Sequence, residues 1–373
     1  MARKSHKNIG LIGLGIIGSR VAASLRGAGF HVYVWNRSPR AEPNFLGGAA
    51  EIAEVCNTIQ IFVPDAQALF ETIDAFADRL TPSHTILCNA TVGPEATLEA
   101  ARLVQMCGAK FLDAPFTGSK AAAERGELVY YIGGDDDVLR QVEPVLQASS
   151  KAIVKIGEIG AAATVKIATN MLGAVIVQTL AEAIALVKTA GIDPEVLVNA
   201  LEYHGVRSPL IDMKLLGMLT GDFPPNFSMK HMFKDVQIAI HIANSAELDL
   251  PATTAAAGVL YNGLNSGWGE LDYSAVVKVY DETKSAPLQL REPERGKALP
   301  APEKAAEPEP APVEITAMEP APPVEPFKAD DTNVDKTEDK PGVEARPQTE
   351  PVPPEPAKIE ERPKTFGWLF GKK

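Results

Sequence analysis

The chain has 373 residues, a net charge of −12 and 45% hydrophobic residues, with three cysteines and six histidines. The length exceeds one ordinary domain, and an acidic balance without clustered Lys and Arg excludes a nucleic-acid-binding surface. Cys56, Cys88 and Cys107 lack metal-like spacing and the histidines form no ligand pair, so free thiols in a reducing, cytoplasmic compartment and no metal are expected. Arg3, Lys4 and Lys7 read as a solvated leader without the apolar core of a signal peptide. No run of ~18 apolar residues is free of charge, so no transmembrane segment is expected.

The first apolar run, Ile9-Gly10-Leu11-Ile12, reads as a buried strand. It feeds Gly13-Leu14-Gly15-Ile16-Ile17-Gly18, after which Val21, Ala22 and Leu25 keep helical spacing up to Gly27. A glycine-rich turn between a strand and a helix is a dinucleotide cradle. Gly13 permits the tight turn, Gly15 lets backbone approach a pyrophosphate, and Gly18 allows close helix–strand packing. The helix start then offers N–H groups and a positive dipole end to the phosphates. Further strands are expected at Phe30–Trp35, Thr58–Val63, Thr85–Cys88, Lys110–Asp113 and Leu128–Ile132, separated by helical stretches. This alternation predicts a doubly wound, mostly parallel α/β sheet of Rossmann type over residues 1–160, with ligands at the carboxyl ends of its strands.

From Gly160 the texture changes. Ala161 to Ala190 reads as one long apolar helix joining the halves. Helical patterns follow over Pro194–Tyr203, Met229–Ala246 and Pro251–Asn265, giving an all-α second domain over 161–283. Apolar residues on nearly every face of the long helix suggest cover by other helices, including those of a second subunit. Residues 284–373 form the third region. From Glu282 onward the chain holds 18 of its 30 prolines and few apolar side chains, so disorder is expected. The closing Thr365–Lys373, with Phe366, Trp368 and Phe370, is either a docking motif for a partner or an incidental end.

At the end of the second strand, where NAD-binding folds usually place an acidic residue, the chain has Asn36-Arg37-Ser38. Arg37 suits a 2′-phosphate, which favours NADP(H) over NAD(H). Val63-Pro64-Asp65 and Thr91-Val92-Gly93-Pro94 close two strands and should line the crevice. Thr117-Gly118-Ser119 is either a cradle for a substrate carboxylate or a capped helix start. Lys166 and Asn170 lie four apart on one face of an apolar helix, which points to proton transfer or to a snorkelling lysine. Lys234-Asp235 is a similar polar insertion.

In these residues the chain resembles the β-hydroxyacid dehydrogenase family, and within it the glyoxylate/succinic semialdehyde reductase branch. Five motifs carry the likeness in order: Gly13–Gly18, Asp113–Gly126, Lys166 with Asn170, Lys234-Asp235, and a Gly…Asp-Tyr/Phe-Ser close at Gly269–Ser274. They span about residues 8 to 283. The resemblance implies Lys166 as catalytic acid beside Asn170, and Thr117, Gly118 and Ser119 on the substrate carboxylate. It also implies Thr91 and Lys234 on the cofactor, and Phe227 and Asp235 at the edge of the substrate pocket. The chain departs from the pattern at Thr117, Ile17 and Gly93, where the family commonly has Ser, Met and Ser. The implied activity is reduction of small carboxylate-bearing aldehydes to hydroxy acids, or the reverse, in a homodimer or homotetramer. Imine reduction on the same scaffold is an alternative that the Lys166/Asn170 pair argues against. A dinucleotide-sensing scaffold that recruits partners through its tail is the other.

Overall fold

The computed structural model describes residues 8–281. The expected alternation runs through β1 (Asn8–Ile12), α1 (Gly18–Gly27), β2 (His31–Trp35), α2 (Ala49–Val55) and β3 (Thr58–Ile61). It continues through α3 (Ala66–Asp74), β4 (Thr85–Cys88), α4 (Pro94–Met106) and β5 (Lys110–Asp113). These five strands are parallel, in the spatial order β2-β1-β3-β4-β5. Helices cover both faces, which is why Ile9, Leu11, Ile59, Ile61, Ile86 and Leu87 are all buried. The chain leaves β1 toward β2 on one side and β3 on the other. A crevice therefore opens between β1 and β3, at the end where the glycine turn lies.

The sheet is extended by β6 (Phe116–Thr117), β7 (Leu128–Gly133) and β8 (Ser150–Gly157), interleaved with α5 (Lys120–Glu124) and α6 (Asp136–Gln147). β7 meets β5 antiparallel through one pair, Asp113 and Gly133, while β6 is antiparallel and β8 parallel to β7. Neither β6 nor β8 was expected from the sequence. β6 has only two residues. β8 reads Ser-Lys-Ala-Ile-Val-Lys-Ile-Gly and stays largely exposed, so its lysines mask the strand pattern.

The second half comprises α7 (Ala161–Thr189), α8 (Pro194–Leu201), α9 (Pro209–Thr220), α10 (Met229–Ser245), α11 (Pro251–Asn265) and α12 (Lys278–Asp281), with a 3-10 turn at Tyr273–Val277. α9 is an addition to the sequence reading. Its start was legible, since Ser208 caps it and Pro209 stands at its first turn, but Asp212 and Lys214 interrupt the apolar pattern. α7 belongs to both halves: Ala162, Ala163 and Ile167 are buried near its start, and Val177, Ala181 and Ile184 join the helical core further on.

What fixes the start of α7 is Asp113 at the end of β5. Gly160, its N-cap, sits at φ +94° with no side chain to offer. Asp113 Oδ2 supplies the missing acceptor, receiving the N–H groups of Gly160 (3.0 Å) and Ala163 (2.9 Å). Burial raises the Asp113 carboxyl to about 6 although these N–H groups oppose the rise.

By length and composition α7 is, among the described residues, the one helix able to cross a membrane, and 39% of its most apolar window is buried. Its apolar run is broken by Lys166 and Glu182 and it packs into both halves as a core helix, so no transmembrane span is evident, as expected. Its exposed Leu172 and Leu186 also show that the expected cover of every face is not supplied by the described residues. The tail expected to be disordered and its aromatic end lie outside the described residues.

Candidate active site

Gly13 stands at φ +97°, and a Cβ on it would meet Phe62 O at 1.9 Å. A Cβ on Gly18 would meet Gly13 O at 2.0 Å, so both positions require glycine for a tight turn. Gly15 differs, because nothing lies within 4 Å of where its Cβ would stand. The open space in front of it is the cradle expected for a pyrophosphate. No side chain caps α1 and no acidic residue occupies its first turn. Its positive end is therefore free for an anion. These residues fit a dinucleotide.

The cradle opens into a cleft of two joined lobes of about 330 and 390 Å³, which share Ile17, Thr91, Phe116, Asn226 and Phe227. Both volumes lie in the range of small-molecule sites. Of the expected residues, Gly15, Ile16, Ile17, Gly18, Val63, Pro64, Thr91, Lys234 and Asp235 line the first lobe. Thr117, Gly118, Ser119, Lys166 and Asn170 line the second, and Phe227 stands at the junction.

Five expected cofactor residues do not line the cleft. Gly13 shapes the turn from behind. Leu14 is fully buried in the sheet core, and its N–H donates to Asn36 Oδ1 at 2.9 Å. Asn36 therefore tethers the glycine turn to the end of β2, and its Nδ2 donates to Ser38 O at 2.8 Å. Arg37 and Ser38 are exposed at that strand end, and Arg37 forms no ion pair among the described residues.

The Thr-Gly-Ser turn is a capped helix start, and it lines the second lobe. Ser119 is the N-cap of α5, its Oγ accepting from Ala122 N at 3.3 Å, and it also faces the second lobe. Gly118 sits at φ +137°, and a Cβ there would meet Leu128 Cδ2 at 2.8 Å. The glycine thus keeps the turn tight against β7.

Beyond the turn, a polar chain crosses between the two halves. Lys166, 8% exposed, donates from Nζ to Asn170 Oδ1 at 2.9 Å. Asn170 Nδ2 donates to Asp235 Oδ2 at 2.6 Å, which fixes how the amide is turned. Asp235 is wholly buried, with Lys234 Nζ at 2.7 Å from its Oδ1. Lys234 Nζ in turn donates to Thr91 O at 2.5 Å, beyond the end of β4. Burial lowers the Lys166 ammonium to about 8; the Asp235 charge resists that fall and the Lys234 charge adds to it. A lysine so placed loses a proton near neutral pH far more readily than one in water.

Several lining residues were missed by the sequence reading. Asn89 is 1% exposed, and its Nδ2 donates to Ala114 O at 2.7 Å. Its Oδ1 has no partner among the described residues, an acceptor suited to an amide-bearing ligand in the first lobe. His231 also lines the first lobe. It lies three and four residues before Lys234 and Asp235, and that spacing places it on their face of α10. Burial first, then the Lys230 and Lys234 charges, lower its pKa, so it is held neutral. Lys214 and Tyr273 close the second lobe. Lys214 is 3% exposed and donates to both carboxylate oxygens of Asp272 at 2.8 Å. Asp272 also accepts from the N–H groups of Asn226, Phe227 and Ser274, fixing the loop that carries Phe227.

Residues 8–157 match the NAD-binding domain of 6-phosphogluconate dehydrogenase, and residues 160–280 match the NAD-binding family of NADP-dependent 3-hydroxyisobutyrate dehydrogenase. The chain is 29% identical to glyoxylate/succinic semialdehyde reductase 2 of Arabidopsis thaliana, over 74% of this chain and 80% of that protein. It is 30% identical to L-threonate dehydrogenase of Cupriavidus necator, over 74% and 96%. It is also 28% identical to the cytokine-like nuclear factor N-PAC of Mus musculus, of which it spans about half, 51%. Among solved structures, 3-hydroxyisobutyrate dehydrogenase from Salmonella typhimurium superposes with a TM-score of 0.66 at 26% identity, covering 73% of this chain and 99% of that one.

Proposed function

Because this chain belongs to the β-hydroxyacid dehydrogenase family, we propose that it is an NADPH-dependent reductase of small carboxylate-bearing aldehydes of the glyoxylate or succinic semialdehyde type. At the coarser level it is an oxidoreductase of that family using a nicotinamide dinucleotide. The single observation carrying the finer reading is Lys166, buried at the cleft with a lowered pKa and one partner, Asn170. An ammonium has three N–H donors, and Asn170 accepts only one. The others serve a carbonyl oxygen in the second lobe.

The dinucleotide, when bound along Gly15–Gly18, Val63, Pro64, Thr91 and Lys234, supplies or accepts the hydride. The chain's own groups do the rest. Thr117, Gly118 and Ser119 hold the substrate carboxylate and so orient the carbonyl toward Lys166. Lys166 Nζ gives its proton to the oxygen as negative charge develops there. Asn170, locked by Asp235, keeps Nζ pointed into the lobe. Arg37, without an ion pair among the described residues, would take the 2′-phosphate of NADPH.

A purely dinucleotide-sensing scaffold has no use for this arrangement. We further propose a homodimer or homotetramer in the cytoplasm, with Leu172 and Leu186 of α7 covered by a second copy. The decisive measurement is NADPH absorbance after addition of glyoxylate or succinic semialdehyde. Steady consumption by the native chain and its loss in Lys166→Ala support the reductase. Retention in Lys166→Ala, or no consumption at all, refutes it.

A further inference from the structure

The second lobe continues past Lys166. Asn170 and Gly173 follow at spacings of four and three, so the three residues share one face of α7 and line the lobe together. Gly173 stands two turns beyond Lys166, about 10 Å along the helix axis. There Tyr273 closes the cavity. Its hydroxyl lies 3.8 Å from where a Cβ on Gly173 would stand.

Tyr273 is 4% exposed and its ring is fully employed. Phe227 packs against it edge-on at 6.2 Å, and Lys214 Nζ sits over its face at 4.3 Å from the centroid. The hydroxyl makes no hydrogen bond to any described residue. The residue lines the lobe, and phenylalanine would serve the packing equally well. Nothing in the fold accounts for the oxygen. The electrostatics narrow what it meets: both carboxylate oxygens of Asp272 already match the charge of Lys214, so this end of the lobe is neutral.

We propose that the Tyr273 hydroxyl is a specificity-determining group that hydrogen-bonds a hydroxyl carried by the substrate beyond its reacting carbon. This rests on the proposed dehydrogenase reading and adds to its substrates oxo acids that carry a further hydroxyl beyond the reacting carbon, which glyoxylate and succinic semialdehyde lack. A phenol both donates and accepts, which suits an alcohol. A neutral wall gives no preference to a second carboxylate.

The test compares oxidation of L-threonate, 3-hydroxypropionate and 2-hydroxyglutarate with NADP⁺ in the native chain, in Tyr273→Phe and in Gly173→Ala. Tyr273→Phe keeps the ring. The methyl of Gly173→Ala makes only ordinary contacts, with Leu210 Cδ2 at 3.6 Å and the hydroxyl at 3.8 Å, yet it stands in front of that hydroxyl. Both variants should lower kcat/KM for L-threonate about five- to ten-fold, mainly through KM, and leave 3-hydroxypropionate unchanged. Equal losses on the two substrates, or none, overturn the proposal. So does a native preference for 2-hydroxyglutarate that Tyr273→Phe removes, since the subsite would then take a carboxylate. If the native chain oxidises none of the three, the dehydrogenase reading fails separately. The subsite is then judged by the rise in Tm that L-threonate gives with NADP⁺. A rise in the native chain that Tyr273→Phe lacks upholds it, and equal or absent rises in both sink it.

Discussion

Two buried lysines on apolar helices, Lys166 of α7 and Lys214 of α9, give the same signal in the sequence and meet different partners. Lys214 is paired on both oxygens of Asp272 and roofed by Tyr273, so its three protons face fixed partners. Lys166 has Asn170 as its one hydrogen-bond partner, with the carboxylate of Asp235 one residue further on. Burial depresses both. A full ion pair makes a lysine a structural strut. A neutral partner, with the carboxylate held at second remove, leaves a proton to give. Burial alone therefore does not mark a catalytic lysine; the partner does.

The sharpest way to break this contrast is Lys166→Ala. Turnover in aldehyde reduction should fall by about 10²–10⁴, while the Kd for NADPH and the melting temperature stay near the native values. A variant that kept its turnover would put Lys166 in the same class as Lys214.

Lys214→Met should do the opposite, removing stability before chemistry. It strands the buried Asp272 carboxylate, which costs about 3–5 kcal/mol in comparable cases. The lower end is expected here, because Asn226, Phe227 and Ser274 still donate to Asp272. Denaturant unfolding measures it, and a midpoint unchanged from native would show that the pair is dispensable.

Arg37→Asp tests the cofactor end, remote from both lysines. Loss of a charge-assisted contact to the 2′-phosphate should weaken NADPH by about 1.5–3 kcal/mol and turn preference toward NADH. An unchanged ratio of kcat/KM for the two cofactors removes Arg37 from the site.

The smallest effect is in pH. In the proposed reaction the proton donor is protonated Lys166, so kcat/KM should be flat below about pH 8 and fall above it. Asp235→Asn removes the charge that resists the depression, so the fall should begin at lower pH, by about one unit or less. A fall that moved upward, or stayed in place, would mean that Asp235 does not set the lysine's proton affinity.

Much of this site was legible beforehand, and the failures are instructive. The glycine turn was readable because Gly13 and Gly18 are demanded by local sterics, a positive φ and a 2 Å approach to a carbonyl. The Lys166–Asn170 spacing was readable because four residues make one helical turn. Leu14 was misassigned, since motif membership does not say which residues turn inward. His231 was overlooked although its spacing from Lys234 and Asp235 was available. β8 was overlooked because an edge strand with lysines lacks the apolar run of a buried one.

By itself the sequence determined the strand–helix alternation, the cradle after β1 and the extent of α7, because periodicity and backbone sterics act over a few neighbouring residues. Only the tertiary structure decided that Asp113 caps α7 from 47 residues away. The same holds for Asp235, which reaches Asn170 across 65 residues, and for Asp272, which claims Lys214 across 58. A carboxylate looks the same in sequence whichever partner it meets. Which lysine it neutralises, and which it leaves able to lose a proton, depends on distances of about 3 Å that arise only when remote segments pack together.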